Sequence, residues 1–224
     1  MPDLQKIYSA RFGNTGLDKR RRVWRLLCEG FFNDLIGEGQ IVLDVACGYG
    51  EFINEVRAAR KLAVDLNPDS PKFLAPDVEF HRVPATDLST ISPGSVDVVY
   101  TSNFLEHLRD KAECDLVFAA VRRTLRPGGR FIVMGPNIRY AYREYWDYYD
   151  HYLPLSHLSL AEGLMQAGYT VTTVIPRFLP YTMNSAAPTY DFLVRPYLRL
   201  QFLWRFFGKQ FLVVAEKPSE PRLG

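Results

Sequence analysis

The stretch Ile41-Val42-Leu43-Asp44-Val45-Ala46-Cys47-Gly48-Tyr49-Gly50-Glu51-Phe52 decides the reading of this chain. Ile41 to Val45 is a short β-rich apolar run and reads as a buried strand. Small residues follow at Ala46, Gly48 and Gly50, and a helical pattern opens at Glu51. Glycine has no Cβ, so the backbone there turns tightly and can approach a bound molecule closely. The helix start presents free N–H groups and a partial positive charge. Strand, glycine turn and helix in that order make a ligand cradle.

The 224 residues suit one domain with a sizeable core. With 47% apolar and 23% charged residues, the composition is that of an ordinary globular chain. A net charge of +2 without a long basic run gives no case for nucleic acid. Lys19 to Arg22 reads as a solvated face, its rival being a patch for an anionic substrate or membrane. Cys28, Cys47 and Cys114 lie far apart, which fits a reducing compartment and no disulfide or zinc framework. The polar start has no apolar signal core, and no apolar run approaches the roughly 20 residues that span a bilayer, so a cytoplasmic location is expected.

Working outward, Val23 to Ile36 has apolar residues at helical spacing and ends at Gly37 and Gly39. Downstream, a helix is expected from Glu51 to about Arg60, then strands at 62–65, 78–83 and 96–101. Lys111 to Leu125 reads as a helix, stopped by Arg126-Pro127-Gly128-Gly129 before a strand at 131–134. Residues 136–158 are crowded with aromatic, Asp and His residues without clean periodicity and are read as a lid. Ser159 to Gly168 reads as a helix, with Ser159 as N-cap and Glu162 completing a capping box. A strand at 171–175 precedes an aromatic insertion, 177–208, in which a helix starts with Pro196 in its first turn. A last strand spans 211–215, and the tail 218–224 reads as disordered. Strands alternating with helices imply an α/β fold with a doubly wound, mostly parallel sheet, helices on both faces and ligands at the strands' carboxyl ends.

Polar residues fall in register at those ends. Asp44 closes the first strand; Asp65 ends the second and is placed to accept hydrogen bonds from ribose hydroxyls. Asp87 follows the third strand, where a carboxylate can accept from an exocyclic adenine amine, and Ser102 and Asn103 lie at the tip of the fourth. This set resembles the class I S-adenosylmethionine-dependent methyltransferases over about residues 38–217. The resemblance implies S-adenosylmethionine as cofactor, with Asp44, Ala46, Gly48 and Gly50 as the loop beside its methionine part. It implies Asp65 on the ribose diol, Leu66 beside the adenine, Asp87 and Leu88 as the adenine-binding pair, and Ser102 and Asn103 near the methionine moiety. It also implies a single domain, 1–217, with N-terminal helices in 1–37 and a seventh strand antiparallel between the fifth and sixth. Arg11 is expected to close over the cofactor's carboxylate. A nicotinamide dinucleotide fits less well, because the turn lacks the third glycine that packs helix and strand around a pyrophosphate.

Methyl transfer to a hydroxyl needs a base that titrates near neutrality. His151, with Asp147 or Asp150 to orient it, is the first candidate and His157 the second; Glu106-His107 is read as a structural pair on a helix, with His107 the lesser candidate for the base. No metal site is expected, since Asp147 and Asp150 alone do not make one. The 192–207 stretch reads either as a helix packed over the pocket or in a homodimer interface, or as a basic-aromatic surface for a membrane or lipid-linked acceptor. The leading expectation is O-methylation of a sugar, a glycolipid or polysaccharide precursor, or another hydroxylated small molecule. A lipid or polyketide-like acceptor, a non-catalytic cofactor-binding scaffold and a nicotinamide-dependent reductase follow in that order.

Overall fold

The computed structural model describes residues 16–181 and 191–219. Arg11 lies outside the described residues, as do 182–190 of the insertion and 220–224 of the tail.

The helical segment ahead of the cradle starts earlier than its apolar spacing suggests. Helix α1, Leu17–Leu27, takes in the Lys19 to Arg22 run, passes through a π-helical turn, Cys28–Phe32, and continues as α2, Asn33–Ile36. Gly37 ends it at φ +82°. Arg130 then donates to the carbonyls of Leu35 and Ile36, both at 2.6 Å, which satisfies two acceptors the helix leaves open.

The quoted stretch becomes strand β1, Ile41–Val45, and helix α3, Glu51–Glu55. The expected helix to Arg60 stops early because distant acceptors take its next N–H groups. Asn33 Oδ1 holds the Arg57 N–H at 2.9 Å, and the Gln40 carbonyl holds that of Ala59 at 2.8 Å. Then come β2, Arg60–Val64, β3, Val78–His81, β4, Val96–Ser102, α4, Lys111–Thr124, and β5, Leu125–Pro136. Strand β5 is far longer than its apolar run, because Leu125 already pairs with Val96 before a register shift carries the chain past Pro127.

In the lid region Ile138–Tyr145 is helix α5, capped by the Asn137 side chain. Helix α6, His157–Gln166, begins two residues before the expected start. Ser156 is its N-cap, and Ser159 supplies the returning bond of the capping box in place of Glu162. After β6, Thr170–Ile175, the described part of the insertion holds α7, Asp191–Arg199, and α8, Trp204–Phe207. Pro196 sits inside α7 and not at its start. Strand β7 is Gln210–Glu216.

The seven strands lie in the order β3-β2-β1-β4-β5-β7-β6, with β7 antiparallel to both neighbours and the other six parallel, as the resemblance implied. Alternate residues of each strand feed opposite cores. Leu43, Val45, Val99, Phe131 and Val213 face α4 and α6. Val42, Val98, Tyr100, Ile132 and Leu212 face α1–α3 and α7, where Trp24, Phe32, Phe52 and Tyr100 interlock. Helices on both faces leave the strands' carboxyl ends as the open edge on which a site can form.

Candidate active site at the carboxyl edge

The turn after β1 is built on left-handed backbone. Ala46, Gly48 and Gly50 have φ of +60°, +58° and +73°, and Asn103, at the tip of the adjacent β4, has +48°. Among the described residues Ala46 and Asn103 are the non-glycine positions of this kind. Such strain costs of order 1–3 kcal/mol per residue and gathers at sites that must present backbone to a ligand. Two anchors hold it. Thr101 Oγ1 donates to the Val45 carbonyl at 2.7 Å, locking the two strand tips together. Asp65 accepts from the Gly48 N–H and the Asn67 N–H, both at 2.7 Å, tying the β2 tip to the glycine turn.

Asp65 is 7% exposed. Burial pushes its carboxyl up, and the N–H groups of Asn67, Gly48 and Leu66 pull it back. Asp44 is buried beneath the turn; burial raises it well above the ordinary carboxylate range, the charges of Asp65 and Glu51 add to this, and the Ile53 N–H opposes it. Tyr49 stacks on Phe73 at 4.0 Å and gives the turn an aromatic flank.

The remaining predicted cofactor residues divide. Leu66 is partly exposed beside Asp65, and Asp87 is an exposed turn residue whose carboxyl is lowered by hydrogen bonding from Ser89. Ser102 and Asn103 lie together at the β4 tip. Leu88, next to Asp87, is 1% exposed and its side chain packs into the core on the α4 side.

S-adenosylmethionine fits the residues present. Asn103 Oδ1 is buried with no hydrogen-bond partner among the described residues, an acceptor in place for an amine at the strand tip. Asp65 keeps acceptor capacity beyond its two backbone donors, which a vicinal diol can use. Gly50 is left-handed at φ +73°, and a Cβ there would lie 2.3 Å from Leu74 Cδ2 and make that side chain move aside, so the turn keeps bare backbone most easily as glycine.

Past β4, Glu106 and His107 fall on a 3-10 turn, Leu105–His107, and not on a regular helix. The segment 136–158 is pinned to this turn: the N–H groups of Tyr152 and Leu153 donate to the Glu106 carbonyl at 2.8 and 3.2 Å. His107 Nδ1 donates to Asp150, to its carbonyl at 3.0 Å and its carboxylate at 3.2 Å. Burial disfavours the His107 cation, but the Asp150 bond and the charges of Glu106 and Asp150 outweigh it and leave the imidazole above its ordinary range. His151, 4% exposed, brings its ring to 5.0 Å from that of His107 and lies between Tyr145 and Tyr148. His157 is placed differently. It opens α6, stacks on Tyr140, and its Nδ1 accepts the Asn137 amide at 2.9 Å, which puts the imidazole proton on Nε2. Burial lowers its pKa, and Arg139 adds to this.

The structure thus joins His151 to Glu106 and His107. From the sequence, His107 and His151 stand as separate candidates for the base, and nothing there brings Glu106 to them. The signal was two acid–imidazole dipeptides, Glu106-His107 and Asp150-His151, each on an irregular segment.

Residues 43–133 match a family model described as a methyltransferase domain. The chain is 32% identical over 102 residues to a ubiquinone biosynthesis O-methyltransferase of Paracidovorax citrulli, and 35% identical over 101 residues to the protein of that name from Bordetella bronchiseptica. Each alignment covers 41% of this chain, and the matched part spans only 42% and 40% of the two relatives. A SAM-dependent methyltransferase from Archaeoglobus fulgidus has the same fold, with a TM-score of 0.65 at 19% identity over 96% of this chain and 100% of the other.

Proposed function

We propose that this chain works as a class I S-adenosylmethionine-dependent methyltransferase, a reading supported by its fold and by the methyltransferase domain matched over 43–133, and that the methyl group goes to a hydroxyl oxygen of a small-molecule acceptor held under the lid. The observation that carries this reading is the Glu106–His107–His151 cluster at the turn following Ser102 and Asn103. A hydroxyl is a weak nucleophile until its proton is drawn away, and such a cluster answers that need where an amine acceptor would not require it. The name O-methyltransferase carried by the relatives supports oxygen as the atom methylated.

The bound cofactor supplies an electrophilic methyl on a sulfonium. The chain's own residues do the rest. Asp65 and Asn103 fix the nucleoside and amino-acid ends. Glu106, His107 and His151 activate the acceptor hydroxyl. His157 acts as a positioning residue, holding Asn137 and through it the start of α5. The lid excludes water, with Tyr145 and Tyr148 packed on His151. A hydroxylated ring or sugar is the acceptor class favoured.

A lipid-linked acceptor is a second reading, favoured by the exposed face of α7 and α8. Phe192, Leu193, Phe202, Phe206 and Phe207 are exposed there. Residues 192–209 carry three arginines and one lysine and no acidic residue.

The test is calorimetry with S-adenosylhomocysteine, followed by mass spectrometry of a panel of catechols, phenols and sugars incubated with S-adenosylmethionine. Binding, a 14 Da gain on a hydroxylated acceptor, and a loss of affinity of about tenfold or more in Asp65→Ala are expected. Tight cofactor binding without turnover of any hydroxylated compound would instead support a scaffold.

A further inference from the structure

We propose that Glu106, His107 and His151 hold a divalent first-row transition-metal ion, which binds and activates the acceptor hydroxyl. One ligand atom from each of the three residues lies within 4.8 Å of the other two. Metal ligands in a closed shell stand about 3–3.5 Å apart, a distance implied by metal–ligand bonds of about 2.0–2.1 Å, so only small side-chain rotations separate this arrangement from a bound one.

Three further observations shape the site. His107 uses Nδ1 to donate to Asp150, which leaves Nε2 with its lone pair as the metal-binding nitrogen. A carboxylate behind a ligating imidazole fixes its tautomer and ring orientation and raises its basicity. His151 comes from the lid, yet it is not loosely attached, because Tyr152 and Leu153 are bonded to the Glu106 carbonyl. Glu106 and His151 are buried, whereas His107 is partly exposed, so a cation would be shielded on the protein side and open towards the acceptor.

The donor set decides the ion. Two imidazoles and one carboxylate suit Zn²⁺, Co²⁺, Ni²⁺ or Fe²⁺, whereas Mg²⁺ and Ca²⁺ prefer all-oxygen shells. Three protein ligands leave at least one position for substrate. Given the methyl-transfer reading above, on which this proposal rests, an acceptor hydroxyl in that position loses its proton to solvent more readily. The resulting oxygen anion then forms the O–CH₃ bond as the S–CH₃ bond of the cofactor breaks. An acceptor with two neighbouring hydroxyls would chelate and be preferred.

The full chain, stripped with a chelator and dialysed, is titrated with Zn²⁺, Co²⁺ and Mg²⁺ by calorimetry, and the Co²⁺ sample is followed by visible absorption. One equivalent of Zn²⁺ or Co²⁺ is expected, with Mg²⁺ at least about tenfold weaker. Glu106→Gln and His151→Ala should each weaken Zn²⁺ by more than about tenfold, and Asp150→Asn by about 10–100-fold, as for other groups that orient a ligand. His81→Gln, on β3, should leave Zn²⁺ affinity unchanged. S-adenosylhomocysteine affinity, measured on the same samples, reports folding and the cofactor site separately. Wild-type protein that binds S-adenosylhomocysteine but takes up no Zn²⁺ or Co²⁺ overturns the metal site. So does hydroxyl methylation at an unchanged rate in excess chelator, an outcome that leaves the methyl-transfer reading standing.

Discussion

A methyl group added at Gly50 would meet Leu74 Cδ2 at 2.3 Å on backbone already at φ +73°. Leu74 can turn its side chain aside, so the left-handed backbone carries most of the cost, and Gly50→Ala is expected to lower unfolding free energy by about 1–3 kcal/mol in urea titration. His157 carries a pH dependence whose sign follows from its lowered pKa. Above pH of about 6.5 the imidazole is neutral in both folded and unfolded chains and costs nothing. As pH falls through that value the unfolded chain takes a proton that the folded one refuses, so stability drops until the folded-state value is passed. The groups facing it are Asn137 and Tyr140, with Arg139 contributing repulsion. His157→Gln should flatten part of the loss between about pH 7 and 5 in urea melts. At this scale the sequence was legible where a residue's place follows from a strand end, as for Asp44 and Asp65. Past the end of β3 it was less legible, since no period there says which side a side chain such as that of Leu88 faces. The histidine cluster stayed hidden for another reason: His107 meets Asp150 across a separation of 43 residues, and no local rule encodes that approach.

Elements were legible in kind and order, and less so at their ends. Apolar spacing located every strand, because each core-facing run is short and bounded by Gly, Pro or charged residues. Ends are settled by partners that lie elsewhere. Helix α3 stops where Asn33 and Gln40 capture the next N–H groups, and α6 starts where Ser156 and Ser159 satisfy each other. Arg130 exerts the same kind of control on the helix 17–36, donating to its last two carbonyls from within β5. Replacing it with Met keeps most of the apolar stem and removes both donors. Arg130→Met should cost about 1.5–3 kcal/mol in thermal or urea unfolding, with little change in affinity for S-adenosylhomocysteine.

Across the whole molecule the two faces of the sheet are covered by helices, and the aromatic insertion extends one of them. Val194, Leu198 and Trp204 enter the core beside α1, and Arg195 pairs with Glu29 at 2.8 Å, so α7 belongs to that helical layer. Its outward side remains apolar and basic. No helix among the described residues is long and apolar enough to cross a membrane. On the lipid-linked reading proposed above, vesicles containing anionic phospholipid should sediment the protein at low salt, and Phe206→Ser combined with Phe207→Ser should weaken this by about tenfold or more. Protein that stays in the supernatant while dimerising in sedimentation velocity would assign the face to a second copy. The sheet's parallel, doubly wound character could be read from the alternation of strands and helices. The place of β7 could not, because a strand's neighbours are fixed by long-range pairing; the family resemblance supplied it.

That place has a bearing on how the chain matures at the ribosome. Strand β7 follows all the other described strands, yet its slot lies between β5 and β6. While residues 210–216 are still inside the exit tunnel, β5 and β6 each present an unpaired edge of free N–H and C=O groups. Pairing β5 directly with β6 at that stage would be parallel and would have to be undone before β7 could enter. The nascent protein therefore passes through an interval in which it is open to trapping by other strands. Slow elongation over the segment from 177 to 208 would lengthen that interval, and a chaperone that shields extended edges would protect it.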